Sequence, residues 1–224
     1  LADVPECDDW LSAREFVRLQ GMRFPKRRND WKLGRWTAKQ AVCAYRFAEC
    51  PALASLEIRA SADGAPEVFW NDHPADISIS ISHSQDRGFC VVGPGGFMVG
   101  CDLEQVETRE DGFGEDYFTA EEMSFVRQVP DAERSLSLNL IWSAKETMLK
   151  ALREGLRRDT RSVAVRVDSG ICEEGWNAWT GRCLETSRAF HGWWRESEGY
   201  VYTLAADQPT AVPRKAAGPP SRAT

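Results

Sequence analysis

Residues 77–82 read Ile-Ser-Ile-Ser-Ile-Ser, a strict two-residue alternation that predicts a β-strand. The period returns in Val163-Ala164-Val165-Arg166-Val167, and shorter strands are predicted at 58–60 and 68–70. Residues 89–92, the turn-forming Gly93-Pro94-Gly95-Gly96 and residues 97–103 predict a hairpin. Helical spacing predicts helices over 9–20, 29–48 and 135–154, the last stopped by Gly155. Thr119-Ala120-Glu121-Glu122 is a capping box that opens a helix to about 129, broken by Pro130-Asp131. Two or three more strands carry Trp176, Trp179, Trp193, Trp194 and residues 200–204. Each half thus sets helix before antiparallel strands. The prediction is an α+β chain of two similar lobes, 1–100 and 101–208, meeting near Gly100. Residues 209–224, rich in Ala, Pro, Arg and Gly, read as a disordered tail. No internal repeat is evident along the sequence.

Composition narrows the class. Apolar residues make up 42% and charged residues 28% of 224, ordinary for a folded chain that needs no covalent staples. A net charge of −6 disfavours bulk nucleic-acid binding while leaving room for a local basic groove. Seven cysteines without a CxxC or zinc spacing predict reduced thiols in a cytosol. No apolar run approaches the roughly 18 residues of a membrane span, and the N-terminus lacks a signal pattern, so a cytoplasmic location is expected. A chain of two lobes contains its own cleft, which favours a monomer.

Charged positions add the chemistry. On the predicted strand Val99-Gly100-Cys101-Asp102-Leu103-Glu104, the two acids share one face with Gly100, whose missing Cβ leaves room for a ligand or for backbone. Adjacent carboxylates repel unless a cation or proton separates them, and oxygen-only ligands suit Mg²⁺. The alternative is a solvated acidic edge. Glu146 and Lys150 lie one helical turn apart, which alone describes an exposed ion pair. Lys145 falls inside the apolar stripe of Ile141, Met148, Leu152 and Leu156, where an ammonium must snorkel or meet an anion. Arg28, Lys32, Arg35, Lys39 and Arg46 project from one helical sector, beside a core face of Trp36, Cys43 and Phe47. Such a stripe fits either a phosphate ester or solvent. His83, between Ser82 and Ser84, is either a buried, satisfied histidine or an imidazole facing a phosphate. Walker A, GxGxxG and serine-hydrolase motifs are absent. A carboxylate pair, a further Glu, several cations and a His suit chemistry on a diphosphate.

Ile79-Ser80-Ile81-Ser82-His83-Ser84, Val99-Gly100-Cys101-Asp102-Leu103-Glu104 and Trp142-Ser143-Ala144-Lys145-Glu146-Thr147-Met148-Leu149-Lys150, in that order and spacing, resemble the surfactin-type 4′-phosphopantetheinyl transferases. Gly34-Arg35 with Lys39, and Phe118-Thr119-Ala120-Glu121-Glu122, resemble further family segments. The resemblance implies a pseudo-dimer of two α+β lobes with the active site in the cleft between them. It implies Mg²⁺-dependent (or Mn²⁺-dependent) transfer of phosphopantetheine from coenzyme A to a serine of an apo carrier protein, releasing adenosine 3′,5′-bisphosphate. Asp102, Glu104 and Glu146 would hold the metal, and Glu146 would be the general base. Lys150 would stabilise the departing phosphate and Lys145 would contact the diphosphate. Ser82 and His83 would bind phosphates, His83 also serving catalysis, and Arg35 and Lys39 would hold the 3′-phosphate. Arg127, Arg134, Arg153, Arg157 and Arg158 would either meet acidic carrier helices or form a solvated surface. The alternative to an enzyme is a coenzyme A or carrier-binding module without turnover. Cys101 and Thr147 depart from the family pattern, as does Ala65-Pro66 where a Lys-Pro often approaches the adenine.

Overall fold

The computed structural model describes residues 4–47 and 52–216, without the side chains of 169–172. The chain divides into two compact units, Leu1–Gly96 with Arg214–Thr224, and Phe97–Pro213. Both are α+β with antiparallel sheets.

The first unit opens with α1 (Ala13–Gln20), started by a Ser12–Glu15 capping box. Helix α2 (Pro25–Arg46) has proline in its first turn, where no amide hydrogen is needed. Thus α1 starts later and α2 earlier than the sequence pattern predicts. Trp10 and Leu11 precede Ser12 as buried anchors. There follow β1 (Leu56–Ala60), β2 (Pro66–Trp70), β3 (His73–Pro74), β4 (Ile77–Ser84) and β5 (Arg87–Pro94). Strands β1, β2 and β3 form one sheet, β4 and β5 another. Ala38, Val42 and Cys43 of α2 pack on Leu56, Ile58, Val68 and Ile79.

The second unit runs β6 (Val99–Gln105), α3 (Phe113–Tyr117), α4 (Ala120–Gln128), α5 (Asp131–Ala151), β7 (Val163–Glu173), β8 (Trp176–Cys183), β9 (Ala189–Ser197) and β10 (Tyr200–Ala206). Its five strands are ordered β6-β10-β9-β8-β7. Helix α5 lays Ala144, Met148 and Leu149 on Val163, Trp179, Cys183, Phe190 and Ala205.

The expected hairpin across 93–96 does not form. Strand β5 pairs with β4 through the turn at Gln85–Asp86, and β6 pairs with β10. A glycine-rich turn signals reversal between neighbours, but both strands find partners elsewhere, β6 a hundred residues on. Cys7, Cys90, Cys101 and Cys183 are reduced, but Cys43 is disulfide-bonded, against the expectation of uniformly reduced cysteines. Of the expected tail, residues 217–224 lie outside the described residues, and Thr210 Oγ1 accepts a hydrogen bond from Trp193 Nε1 at 3.2 Å. Among the described residues no helix is long and apolar enough to cross a membrane.

One device occurs in both units. In the first, Glu15 closes the α1 capping box, accepts the Ile58 amide of β1 at 3.0 Å and pairs with Lys39 of α2 at 2.6 Å. In the second, Glu122 closes the α4 capping box, accepts the Val165 amide of β7 at 2.7 Å and pairs with Lys145 of α5 at 2.8 Å. Each clamp ties a short helix, a long helix and the first strand after it.

Candidate functional site

Helix α5 lies so close to β6 that a Cβ on Gly100 would sit 1.9 Å from the Thr147 carbonyl oxygen. Of the two readings of Gly100, close backbone approach is the one that holds. That approach delivers the acids of β6 to the flank of α5. Asp102, Glu104 and Glu146 each present an oxygen within 4.8 Å of the others. Three carboxylates converging with no soft donor form a set that suits a hard, oxygen-seeking cation.

Each acid is held. Asp102 is buried; Ser143 Oγ donates to its Oδ2 at 2.8 Å and Lys150 Nζ to its Oδ1 at 2.7 Å. The Ser143 hydroxyl continues to Thr203 Oγ1 at 2.8 Å, and that oxygen meets Thr147 Oγ1 at 2.7 Å. Glu104 takes Trp142 Nε1 on Oε1 at 3.2 Å and Arg109 Nη2 on Oε2 at 2.9 Å. Burial and the Asp102 charge raise the Glu104 pKa. The same causes push Glu146 up to about 7, against the pull of Lys150. Burial opposes the charge on Lys150, but Asp102 and Glu146 outweigh it and lift its pKa. Lys150 stands 3.9 Å from Glu146, so its tighter partner is Asp102. The half-buried Glu146 and Lys150 are thus members of a charge cluster, not the exposed pair that their spacing describes.

Lys145 departs from expectation. It is fully buried, and its three ammonium hydrogens meet Glu122, Thr160 O at 3.0 Å and Val163 O at 2.6 Å. No donor is left for a diphosphate. Lys39 is the same case: fully buried, it meets Glu15, Trp10 O and Leu53 O, each carbonyl at 2.9 Å, which corrects its assignment to the 3′-phosphate. Burial lowers the pKa of both lysines, and their glutamates counter it. Both corrections share a cause. Each lysine projects from the packed side of its helix, where an anion from its own unit meets it.

The rest of the basic stripe on α2 is mixed. Arg28 donates to the Leu19 and Met22 carbonyls at the end of α1, and Lys32 pairs with Asp8 at 2.6 Å. Arg35 is largely buried, its nearest ion pair among the described residues is Glu15 at 4.0 Å, and its Nε has no hydrogen-bond partner. Burial lowers its pKa to about 10, so it stays cationic at neutral pH. Arg35 is therefore the desolvated cation of this face whose own unit leaves it poorly matched. Ser82 is buried, but His83 is exposed at the end of β4, against a buried, satisfied histidine. It lines a cavity of about 580 Å³ with Lys26, Asn29, Asp30, Gln85 and Asp86. Of the outlying arginines, Arg127 pairs with Glu115, Arg134 with Asp131 and Arg158 with Glu154 and Glu185.

Sequence reasoning missed Ser143, Thr147, Thr203, Arg109 and Asn139. Ser143 and Thr147 carried a readable signal, since both share the α5 face of Glu146 and Lys150 at helical spacing.

Residues 98–205 match the family model described as ACPS, the 4′-phosphopantetheinyl transferase superfamily. The chain is similar to the 4′-phosphopantetheinyl transferase HetI of Nostoc sp. strain PCC 7120. They are 25% identical over 150 residues, 66% of this chain and 62% of that relative, so the match leaves more than a third of the relative uncovered. Among solved structures it is similar to a holo-(acyl-carrier-protein) synthase from Bacillus anthracis str. Ames in complex with CoA (3′,5′-ADP). That match has a TM-score of 0.36 and 18% identity, over 48% of this chain and 92% of the other.

Proposed function

We propose that this chain is a 4′-phosphopantetheinyl transferase of the surfactin type, moving the phosphopantetheine arm of coenzyme A onto a serine of an apo carrier protein. The observation that carries this reading is the convergence of Asp102, Glu104 and Glu146 beside Lys150, inside the segment that matches the superfamily. The reading includes a pseudo-dimer of two related lobes, which the clamp repeated in each unit supports. It also includes a monomer acting in the cytoplasm.

Mg²⁺, held by the three carboxylates, would neutralise charge on the diphosphate oxygens. The chain's own groups do the rest. Glu146, placed at the convergence of the three carboxylates, takes the proton of the carrier serine hydroxyl as general base. The serine oxygen forms a bond to the phosphorus bearing the pantetheine arm. The bond from that phosphorus to the bridging oxygen breaks, and adenosine 3′,5′-bisphosphate leaves with the electron pair. Lys150, kept protonated by Asp102 and Glu146, donates to the departing phosphate. Arg35, with His83 and Ser82, binds the phosphates of coenzyme A; Lys39 and Lys145 serve the scaffold instead.

Apo carrier proteins of the fatty-acid, polyketide and peptide-synthetase classes, mixed with the protein, coenzyme A and Mg²⁺, test this by mass spectrometry. One class at least gains the mass of a phosphopantetheine group, and Glu146→Gln abolishes the gain with its melting transition intact. Binding of coenzyme A or carrier without mass gain would assign a binding module instead.

A further inference from the structure

Of the donors around the three carboxylates, Arg109 stands outside every motif, in the connection between β6 and α3. Its guanidinium makes several directed contacts. Nη2 donates to Glu104 Oε2 at 2.9 Å, Nε donates to Asn139 Oδ1 at 2.8 Å, and Nη1 lies 3.3 Å from Glu107 Oε1. The plane rests over Phe113, 4.9 Å from the ring centroid. Asn139, fully buried on α5, fixes the arrangement from below. Its amide nitrogen donates to Glu107 O at 2.7 Å and Ser135 O at 2.8 Å, so its oxygen must face Arg109. A flipped amide would set oxygen against two carbonyls and NH₂ against N–H.

We propose that Arg109 is a positioning residue for the metal centre: it aims the Glu104 carboxylate at the point shared with Asp102 and Glu146. The inference rests on the proposed metal site and deepens it. Glu104 hangs from an edge strand with 23% of its side chain exposed, so it would otherwise sample several rotamers. Arg109 removes that freedom by joining Glu104 to a buried residue of α5, the helix that carries Glu146. With Trp142 on the other oxygen, the carboxylate is gripped from two directions, and its remaining lone pairs stay open to an ion. The planar fork does this by donating to Glu104 and Asn139 from two different nitrogens held in one plane, a geometry that a single ammonium nitrogen does not reproduce.

Charge makes the opposite prediction. A cation 2.9 Å from a ligand carboxylate also repels an incoming metal ion. If neutralisation were its main effect, removing it would tighten metal binding, and lysine would replace it fully.

Mn²⁺ binding to the whole protein, read by electron paramagnetic resonance with neither coenzyme A nor carrier present, separates the two. We expect Arg109→Ala to weaken Mn²⁺ at least about tenfold, the range for residues that orient metal ligands. Arg109→Lys, which keeps the charge and the aliphatic stem, should fall nearer to alanine than to arginine. In transfer assays Arg109→Ala should recover as Mg²⁺ is raised, with the KM for coenzyme A at saturating metal unchanged. Mn²⁺ affinity at or above that of the unaltered protein in Arg109→Ala, or full rescue by lysine, overturns the inference and leaves the metal site standing. An unaltered protein that binds no Mn²⁺ overturns both. A failed carrier assay beside the expected Mn²⁺ series would sink the transferase reading alone.

Discussion

Lys145 offers the sharpest test, because the resemblance and the geometry disagree about it. Replace it with methionine, which keeps the length and the apolar stem. If Lys145 contacts the diphosphate, transfer falls and the fold is untouched. The structure makes the reverse prediction. The substitution leaves Glu122, fully buried, without its cation, and strips a donor from the carbonyls of Thr160 and Val163. Removing one member of a buried ion pair costs about 3–5 kcal/mol. For a chain of this size about 2–4 °C of Tm is lost per kcal/mol, so melting should fall by roughly 6–20 °C. Circular dichroism melts of both proteins give the number. The double variant Glu122→Gln with Lys145→Met keeps an acceptor for the Val165 amide and removes the stranded charge, so it should melt above the single variant. A Lys145→Met protein that melts within about 2 °C of the unaltered one, yet no longer transfers, would refute the reasoning.

Arg35→Ala should raise the KM for coenzyme A about tenfold or more, the worth of one charge-assisted hydrogen bond, and erase any preference over 3′-dephospho-coenzyme A; competition kinetics report both. Gly100→Ala puts a methyl 1.9 Å from the Thr147 carbonyl oxygen, so β6 and α5 must part; we expect about 1–3 kcal/mol lost in urea denaturation, and transfer reduced even where the protein is folded. The raised pKa of Glu146 gives a pH signature: in the folded protein the proton is held up to about 7, so ionising it weakens the metal-free fold as pH rises from the ordinary carboxylate range through 7. Metal must displace that proton, so Mn²⁺ affinity should drop about tenfold per unit below pH 7, and Glu146→Gln should flatten both profiles.

What the sequence disclosed was local. Thr119 with Glu122 is a cap readable within four residues, and it starts α4 where expected. The serine–isoleucine alternation is a strand, and Asp102 and Glu104 share a face because parity alone requires it. What it hid was pairing across distance. Nothing in residues 97–103 says that their partner strand begins at Tyr200, so the nearby glycines drew a hairpin that does not exist. Burial was hidden for the same reason. His83 has the parity of Ile79 and Ile81, but it sits where β4 runs out of cover. Arg109 is one arginine among many until Asn139, thirty residues on, is seen beneath it.

The two lysines of Lys145-Glu146-Thr147-Met148-Leu149-Lys150 show how one motif can hold two unrelated jobs. Five residues around an α-helix is a rotation of about 140°, so Lys145 and Lys150 cannot serve the same site. Lys150 turns to β6 and meets Asp102; Lys145 turns to α4 and β7 and meets Glu122. Glu146 shares a flank with Lys150, and burial with the Asp102 charge raises its pKa against the pull of that lysine. The first unit supplies the control. There Glu15 and Lys39 form the same clamp, yet none of the three carboxylates belongs to that unit. A device that recurs in a unit without the three acids answers a need of the helix–helix–strand scaffold. It follows that losing transfer on substituting the first lysine would not by itself place it at the phosphates: its effect must appear in the melting curve before it can be assigned to the reaction, whereas an effect at Lys150 should appear in the reaction first.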